Sequence, residues 1–177
     1  MRQNLQPSKY LYLIIITIFG LLLSGCALDL SAPATETKQQ AALDDQLQPA
    51  PDLSPEDVVR IQVEALQNND EQDKGIEVTF RFASPANKQA TGPLGRFIRM
   101  VKDPAYSPML NHKTADYDPI EIEDNSATQR VTIINTNGKA TVYLFKLSKQ
   151  AGPPCNGCWM TDSVTVVPTR KQDLQGA

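Results

Sequence analysis

Five side chains carry most of the reactive potential of this 177-residue chain: Cys155 and Cys158 in Gly152-Pro153-Pro154-Cys155-Asn156-Gly157-Cys158-Trp159-Met160, the single histidine His112, and its potential companions Tyr106 and Asp162. Two thiols three apart suit thiol redox chemistry, half of a zinc site, or a local disulfide. Redox work needs an exposed thiol of low pKa, supplied by a helix N-terminus or a nearby cation. The pair instead follows two prolines and precedes a β-type run. Zinc needs four ligands, and beyond the cysteines the chain offers only His112. Acid–base chemistry would require His112 to meet Asp162, or Tyr106, in a pocket. There is no Gly-rich phosphate loop, no Gly-x-Ser-x-Gly elbow and no His-Glu-x-x-His. We therefore expect no cofactor and no metal. Asp116, Asp118, Glu121, Glu123 and Asp124 alternate with Tyr117, Ile120 and Ile122, which reads as the wet face of a strand rather than a calcium site.

The N-terminal end bears on the fate of the thiols. Arg2 and Lys9 precede an apolar run from Leu11 to Leu23, followed by Ser24 and Gly25. This has the form of a secretory signal over residues 1–25, too short for the roughly 20 residues a spanning helix needs. Leu23-Ser24-Gly25-Cys26 resembles the lipobox of bacterial lipoproteins, which implies lipidation at Cys26 after export. Two or three acyl chains hold a protein on a membrane where one is marginal. Ala27 is not the aspartate that in such lipoproteins favours the inner membrane, so the cell envelope, and within it the outer membrane, is the expected location. With Cys26 consumed, Cys155 and Cys158 are the remaining thiols in an oxidising compartment, and a disulfide between them is expected. Loop entropy for four residues gives such a bond only roughly 2 kcal/mol.

Without residues 1–25 the chain has 15 Lys and Arg against 20 Asp and Glu, a net charge of −5 rather than −3. No basic stripe is present, so nucleic acid is an unsuitable partner. Residues 26–51 are rich in Ala, Gln, Pro, Asp and Thr and lack aromatic residues. They read as a flexible tether spanning about 25 to 30 Å. Residues 169–177 read as a disordered tail.

The elements that must position the candidate residues lie in one domain, residues 52–168. Ser54-Pro55-Glu56-Asp57 opens a helix whose apolar residues recur at three and four. Residues 75–82 alternate as a strand would, yet Ile76, Thr79, Phe80 and Ala83 also line a helix face. Ser84-Pro85 breaks what precedes it. Leu94, Phe97, Ile98 and Val101 mark another amphipathic helix between Pro93 and Asp103-Pro104, with Arg96, Arg99 and Lys102 on its wetter side. From Tyr117 the pattern predicts four strands, with Asn137-Gly138 forming a two-residue type I′ hairpin and the last strand running from Trp159 to Val167. Helices before an antiparallel meander imply an α+β fold.

Phe82-Ala83-Ser84-Pro85-Ala86-Asn87, Thr91-Gly92-Pro93-Leu94-Gly95-Arg96-Phe97, Pro104-Ala105-Tyr106-Ser107-Pro108-Met109-Leu110 and Gly157-Cys158-Trp159-Met160-Thr161-Asp162 together resemble the DUF4864 family of uncharacterised domains over residues 54–167. The resemblance implies an NTF2-like or cystatin-like cone, helices packed across a curved four-stranded antiparallel sheet around a pocket. It also implies that residues 74–83 are helical, and we adopt the helix over the alternation. Cys158 lies in the matching run; Cys155 does not belong to it. The expected function is a non-catalytic accessory lipoprotein, bound to the membrane by its lipid anchor, whose domain takes a small apolar ligand or an envelope protein. Phe80, Phe97 and Trp159 are the expected pocket or core residues. The competing expectations are a cone-fold enzyme using His112 and Asp162, and a thiol redox protein using Cys155 and Cys158.

Overall fold

The computed structural model describes residues 47–168. The predicted signal segment, Cys26, most of the tether and the tail from residue 169 lie outside the described residues. Helix α1 (Pro55–Gln67) begins with a reciprocal cap. The Ser54 hydroxyl accepts from the Asp57 amide at 3.1 Å, and the Asp57 carboxylate accepts from the Ser54 amide at 3.0 Å. Hydrogen bonding from Ser54 holds the Asp57 carboxyl below its ordinary pKa. The helix buries Val58, Val59, Val63 and Leu66, with Gln62 among them.

Residues 74–81 resolve to a helix, α2 (Lys74–Arg81), burying Ile76, Val78 and Thr79. The physical reason lies upstream. Asp70 Oδ1 accepts from the Lys74 amide at 2.9 Å and Asn69 Oδ1 from the Ile76 amide at 3.1 Å, so the loop after α1 supplies the caps that the helix's own first residue does not. Gly75 packs against α1 so closely that a Cβ built there would lie 2.0 Å from the Ala65 carbonyl oxygen.

A third helix, α3 (Pro85–Thr91), was not expected from the sequence. Its start repeats the grammar of α1, with Ser84 capping the Asn87 amide at 3.2 Å and Pro85 in the first turn. None of its residues is buried, so it has no apolar stripe to reveal it. Helix α4 (Leu94–Val101) matches expectation, burying Phe97 and Val101 while Arg96 and Arg99 are exposed. Exposed Lys102 follows it and pairs with Asp73 at 2.8 Å, tying its end to the start of α2.

The fold is α+β, with helices packed on a five-stranded antiparallel sheet rather than four strands. The first expected strand is split at Asp118-Pro119-Ile120 into β1 (Thr114–Tyr117) and β2 (Glu121–Glu123), both paired with β3 (Ser126–Ile134). Ile122 is 54% exposed, so β2 has no buried side. Strands β4 (Ala140–Lys149) and β5 (Trp159–Val167) complete the order β1-β3-β4-β5. The β3–β4 connection is not the expected type I′ turn, which needs positive φ at both central residues. Only Gly138 has it, at 77°. Asn135 O accepts from Gly138 N at 2.9 Å, and Asn135 Oδ1 accepts from the amides of Asn137 and Lys139. The result is a three-residue loop with a glycine bulge.

The helices cover one face of the sheet, formed by Ala127, Gln129, Val131 and Ile133 of β3 and Tyr143, Phe145 and Leu147 of β4, all buried. On β5, Val164 stands opposite Phe145 and Thr161 opposite Leu147. An odd spacing should place these two on opposite faces. A β-bulge resolves the conflict, because the register shifts between Lys146 and Leu147 and leaves Asp162 as the extra residue. At the bulge the outer edge of β5 is sealed by the α2–α3 connection. Ser84 N donates to Thr161 O at 2.9 Å and Thr161 N to Phe82 O at 2.9 Å.

Candidate functional site

Between α1, α2, α3, α4 and the bulged part of β5 lies a cavity of about 290 Å³. Its inner walls are Leu66, Phe97, Val101, Met109 and Phe145, all buried. Ala90 and Thr91 of α3, Met100 of α4 and Asp162 to Thr165 of β5 are lining residues in partial or full contact with solvent, which puts the mouth on their side. Ala90 and Thr165 are exposed.

The floor is polar but internally satisfied. Gln62, 1% exposed, donates through Nε2 to Thr79 O at 3.0 Å and accepts through Oε1 from the Thr161 hydroxyl at 2.6 Å. One side chain thus links α1, α2 and β5, and caps a carbonyl in the last turn of α2 that has no helical partner. The Thr79 hydroxyl donates to Gly75 O at 2.9 Å. Asn87 Nδ2 donates to Thr161 O at 3.0 Å, so Thr161 O receives two bonds. None of Gln62, Asn87 and Thr161 is among the candidate site residues of the sequence, although Asn87 and Thr161 lie in runs that carry the family resemblance. Gln62 carried a signal nonetheless, a polar residue inside the apolar stripe Val59, Val63, Leu66.

Of the candidate acid–base residues, the structure brings Tyr106 and Asp162 to the cavity and does not bring His112 there. The Tyr106 hydroxyl donates to Val164 O at 3.1 Å, and its ring stacks on that of Tyr143 with centroids 6.3 Å apart. Asp162 is half-buried. His112 is 4% exposed in the turn before β1, its Nδ1 2.8 Å from Met109 O. Burial pushes its imidazole below the ordinary pKa of 6.5, opposed by the bond to Met109. The folded state therefore binds this proton less readily than the unfolded chain. Stability held by the neutral ring is fully present above about pH 6.5 and is lost as pH falls below it toward the folded pKa. Urea midpoints measured from about pH 7 to about pH 5 should fall more steeply for the wild type than for His112→Gln. Parallel curves would contradict this.

Of the expected pocket aromatics, Phe97 lines the cavity. Phe80 packs against Phe97 with ring centroids 5.1 Å apart, and Lys88 Nζ lies 5.4 Å from the Phe80 centroid while donating to Arg81 O at 3.0 Å. Trp159 is 8% exposed and belongs to the core rather than the cavity lining. Cys155 and Cys158 lie at disulfide distance, with Cα atoms 5.6 Å apart; Cys158 is fully buried. Gly157 of that loop lies near Pro51, and Arg81 Nη1 donates to Leu47 O at 3.2 Å, so Leu47 and Pro51 are both packed on the domain.

Among the described residues no group of three or more His, Cys, Asp or Glu side chains is arranged to hold a metal ion. No described helix is long and apolar enough to cross a membrane. A family model described as a domain of unknown function, DUF4864, matches residues 50–174. No curated protein and no solved structure matches the chain. The matched span contains all the residues that line the cavity, from Gln62 to Thr165. This chain belongs to the DUF4864 family.

Proposed function

We propose that this protein is a lipid-anchored envelope protein whose domain, a cone of the NTF2-related type, binds a small apolar ligand without transforming it. The observation that carries the reading is the cavity of about 290 Å³ with apolar inner walls. That volume stands at the lower end of ligand pockets, which run from about 300 Å³ upward. It equals the liquid volume of about ten waters, so the ligand is small or enters by one end only. Two titratable side chains line the cavity, Asp162 and Tyr106, and the Tyr106 proton is committed to Val164 O. His112 stands elsewhere, so a carboxylate has no described acid partner in the cavity wall. The anchor is supported by the lipobox resemblance at Leu23-Ser24-Gly25-Cys26.

The test is calorimetric titration of the full mature chain with 1-hexanol. The wild type should bind saturably, and Ala90→Trp should weaken binding at least about tenfold, because bulk at an exposed mouth position closes the entrance. The variant's unfolding midpoint should stay within about 2 °C, as expected of a surface change. Absence of saturable binding to the wild type would refute the proposal.

A further inference from the structure

The hydrogen-bonding state of the cavity wall specifies the head group of the ligand, an inference that rests on the cavity being a binding site. Of the six hydroxyl residues that line the cavity, Thr79, Thr91, Thr161 and Tyr106 each donate to a protein acceptor, Gly75 O, Asn87 O, Gln62 Oε1 and Val164 O respectively, while Ser163 and Thr165 alternate with Val164 along β5 and belong to the opposite face of the strand. The protons of the first four are spent before a ligand arrives. Acceptor capacity is not. Asp162 carries a carboxylate with no hydrogen-bond or ion-pair partner among the described residues.

The position of that carboxylate follows from the bulge. Strand alternation through Val164 puts Asp162 on the helix-facing side, and the register shift puts Thr161 there as well. Two consecutive residues therefore face the cavity: Thr161 at the floor, bonded to Gln62, and Asp162 toward the mouth, half-buried. A carboxylate beside an apolar wall is stabilised by a partner that donates hydrogen bonds and carries positive charge. A ligand carboxylate there would meet like charge and the lone pairs of already committed hydroxyls. We propose that the site selects amphiphiles with a primary ammonium head, the head on Asp162 and the alkyl part against Leu66, Phe97 and Val101.

The experiment compares hexylammonium, 1-hexanol and hexanoate by calorimetric titration at fixed pH near neutrality and fixed ionic strength, on the full mature chain, on Asp162→Asn and on Ala90→Trp. Hexylammonium should bind the wild type about tenfold more tightly than hexanol, with hexanoate weakest, since a charge-assisted hydrogen bond exceeds a neutral one by about that factor. In Asp162→Asn the ammonium advantage should shrink to within about twofold while hexanol affinity is kept. Equal affinity of the three ligands for the wild type overturns the head-group assignment and leaves the apolar-ligand reading standing. So does an ammonium advantage that survives in Asp162→Asn. If hexanol fails to bind the wild type saturably, the apolar-ligand reading itself is refuted and the head-group assignment falls with it.

Discussion

Replacing Gly75 with alanine is expected to destabilise the domain by about 3 kcal/mol, the upper end of the usual overpacking cost, and to lower its thermal midpoint by roughly 10 °C. Helix propensity alone predicts the opposite sign, since alanine is better than glycine in a helix by about 1 kcal/mol. Contact decides the matter. A Cβ at position 75 would sit 2.0 Å from Ala65 O and 2.8 Å from the Ala65 carbonyl carbon, and both are backbone atoms that no rotamer change can move. Relief requires α2 to back away from α1, which would loosen the burial of Ile76 and Val78 and stretch the Gln62–Thr79 bond. Gly95 on α4 provides the control, because a Cβ there meets nothing within 4 Å. Gly95→Ala should leave stability unchanged or raise it by up to about 1 kcal/mol. Equal midpoints for the wild type and Gly75→Ala would contradict the close packing of the two helices.

The second large effect is expected at the cavity floor. Gln62→Leu should cost about 2 to 3 kcal/mol, because it leaves both Thr79 O and the Thr161 hydroxyl buried without their partner. Thr161→Val should cost about 1 to 2 kcal/mol by orphaning Gln62 Oε1. The double variant removes both ends of the Gln62–Thr161 bond and keeps only the Thr79 deficit. Its cost should fall short of the sum by about 1 kcal/mol, read as a coupling energy from urea unfolding of the four proteins. Strict additivity would mean that the two side chains do not share a bond.

Much of the helical part was legible because its signals are local. The Ser54-Pro55 cap and the Leu94, Phe97, Ile98, Val101 spacing specify α1 and α4 without reference to anything distant. The segment 74–81 needed more, since its alternation fits a strand and its caps come from Asn69 and Asp70 outside it. There the family resemblance gave the right choice where periodicity pointed the other way. Helix α3 has no periodic signature because it buries nothing, although Ser84-Pro85 repeats the very cap that marks α1. The pattern counts one strand where the structure has two, because a single sequence run broken at Pro119 serves two short pairings on the same edge of β3.

The candidate site was less legible. Residue type marks Asp162 and Tyr106, the helical spacing of α4 marks Phe97, and all three line the cavity. The bulge that turns Asp162 inward depends on which residue of β4 faces which residue of β5, information no local window holds. The Gln62–Thr161 bond joins residues 99 apart and was invisible for the same reason. His112 stands out in the sequence as the single histidine, and its burial against Met109 O reflects turn packing rather than chemistry at the cavity.

The most direct measurement is a titration of 1-hexanol into methyl-labelled full mature protein, followed by nuclear magnetic resonance. Saturable shifts confined to Leu66, Val101, Met100, Met109 and Val164, with Val58 and Val142 unmoved, are the predicted result, because the first five line the cavity and the last two are buried elsewhere. Shifts that fail to saturate, or that spread equally to Val58 and Val142, would contradict the cavity as a binding site.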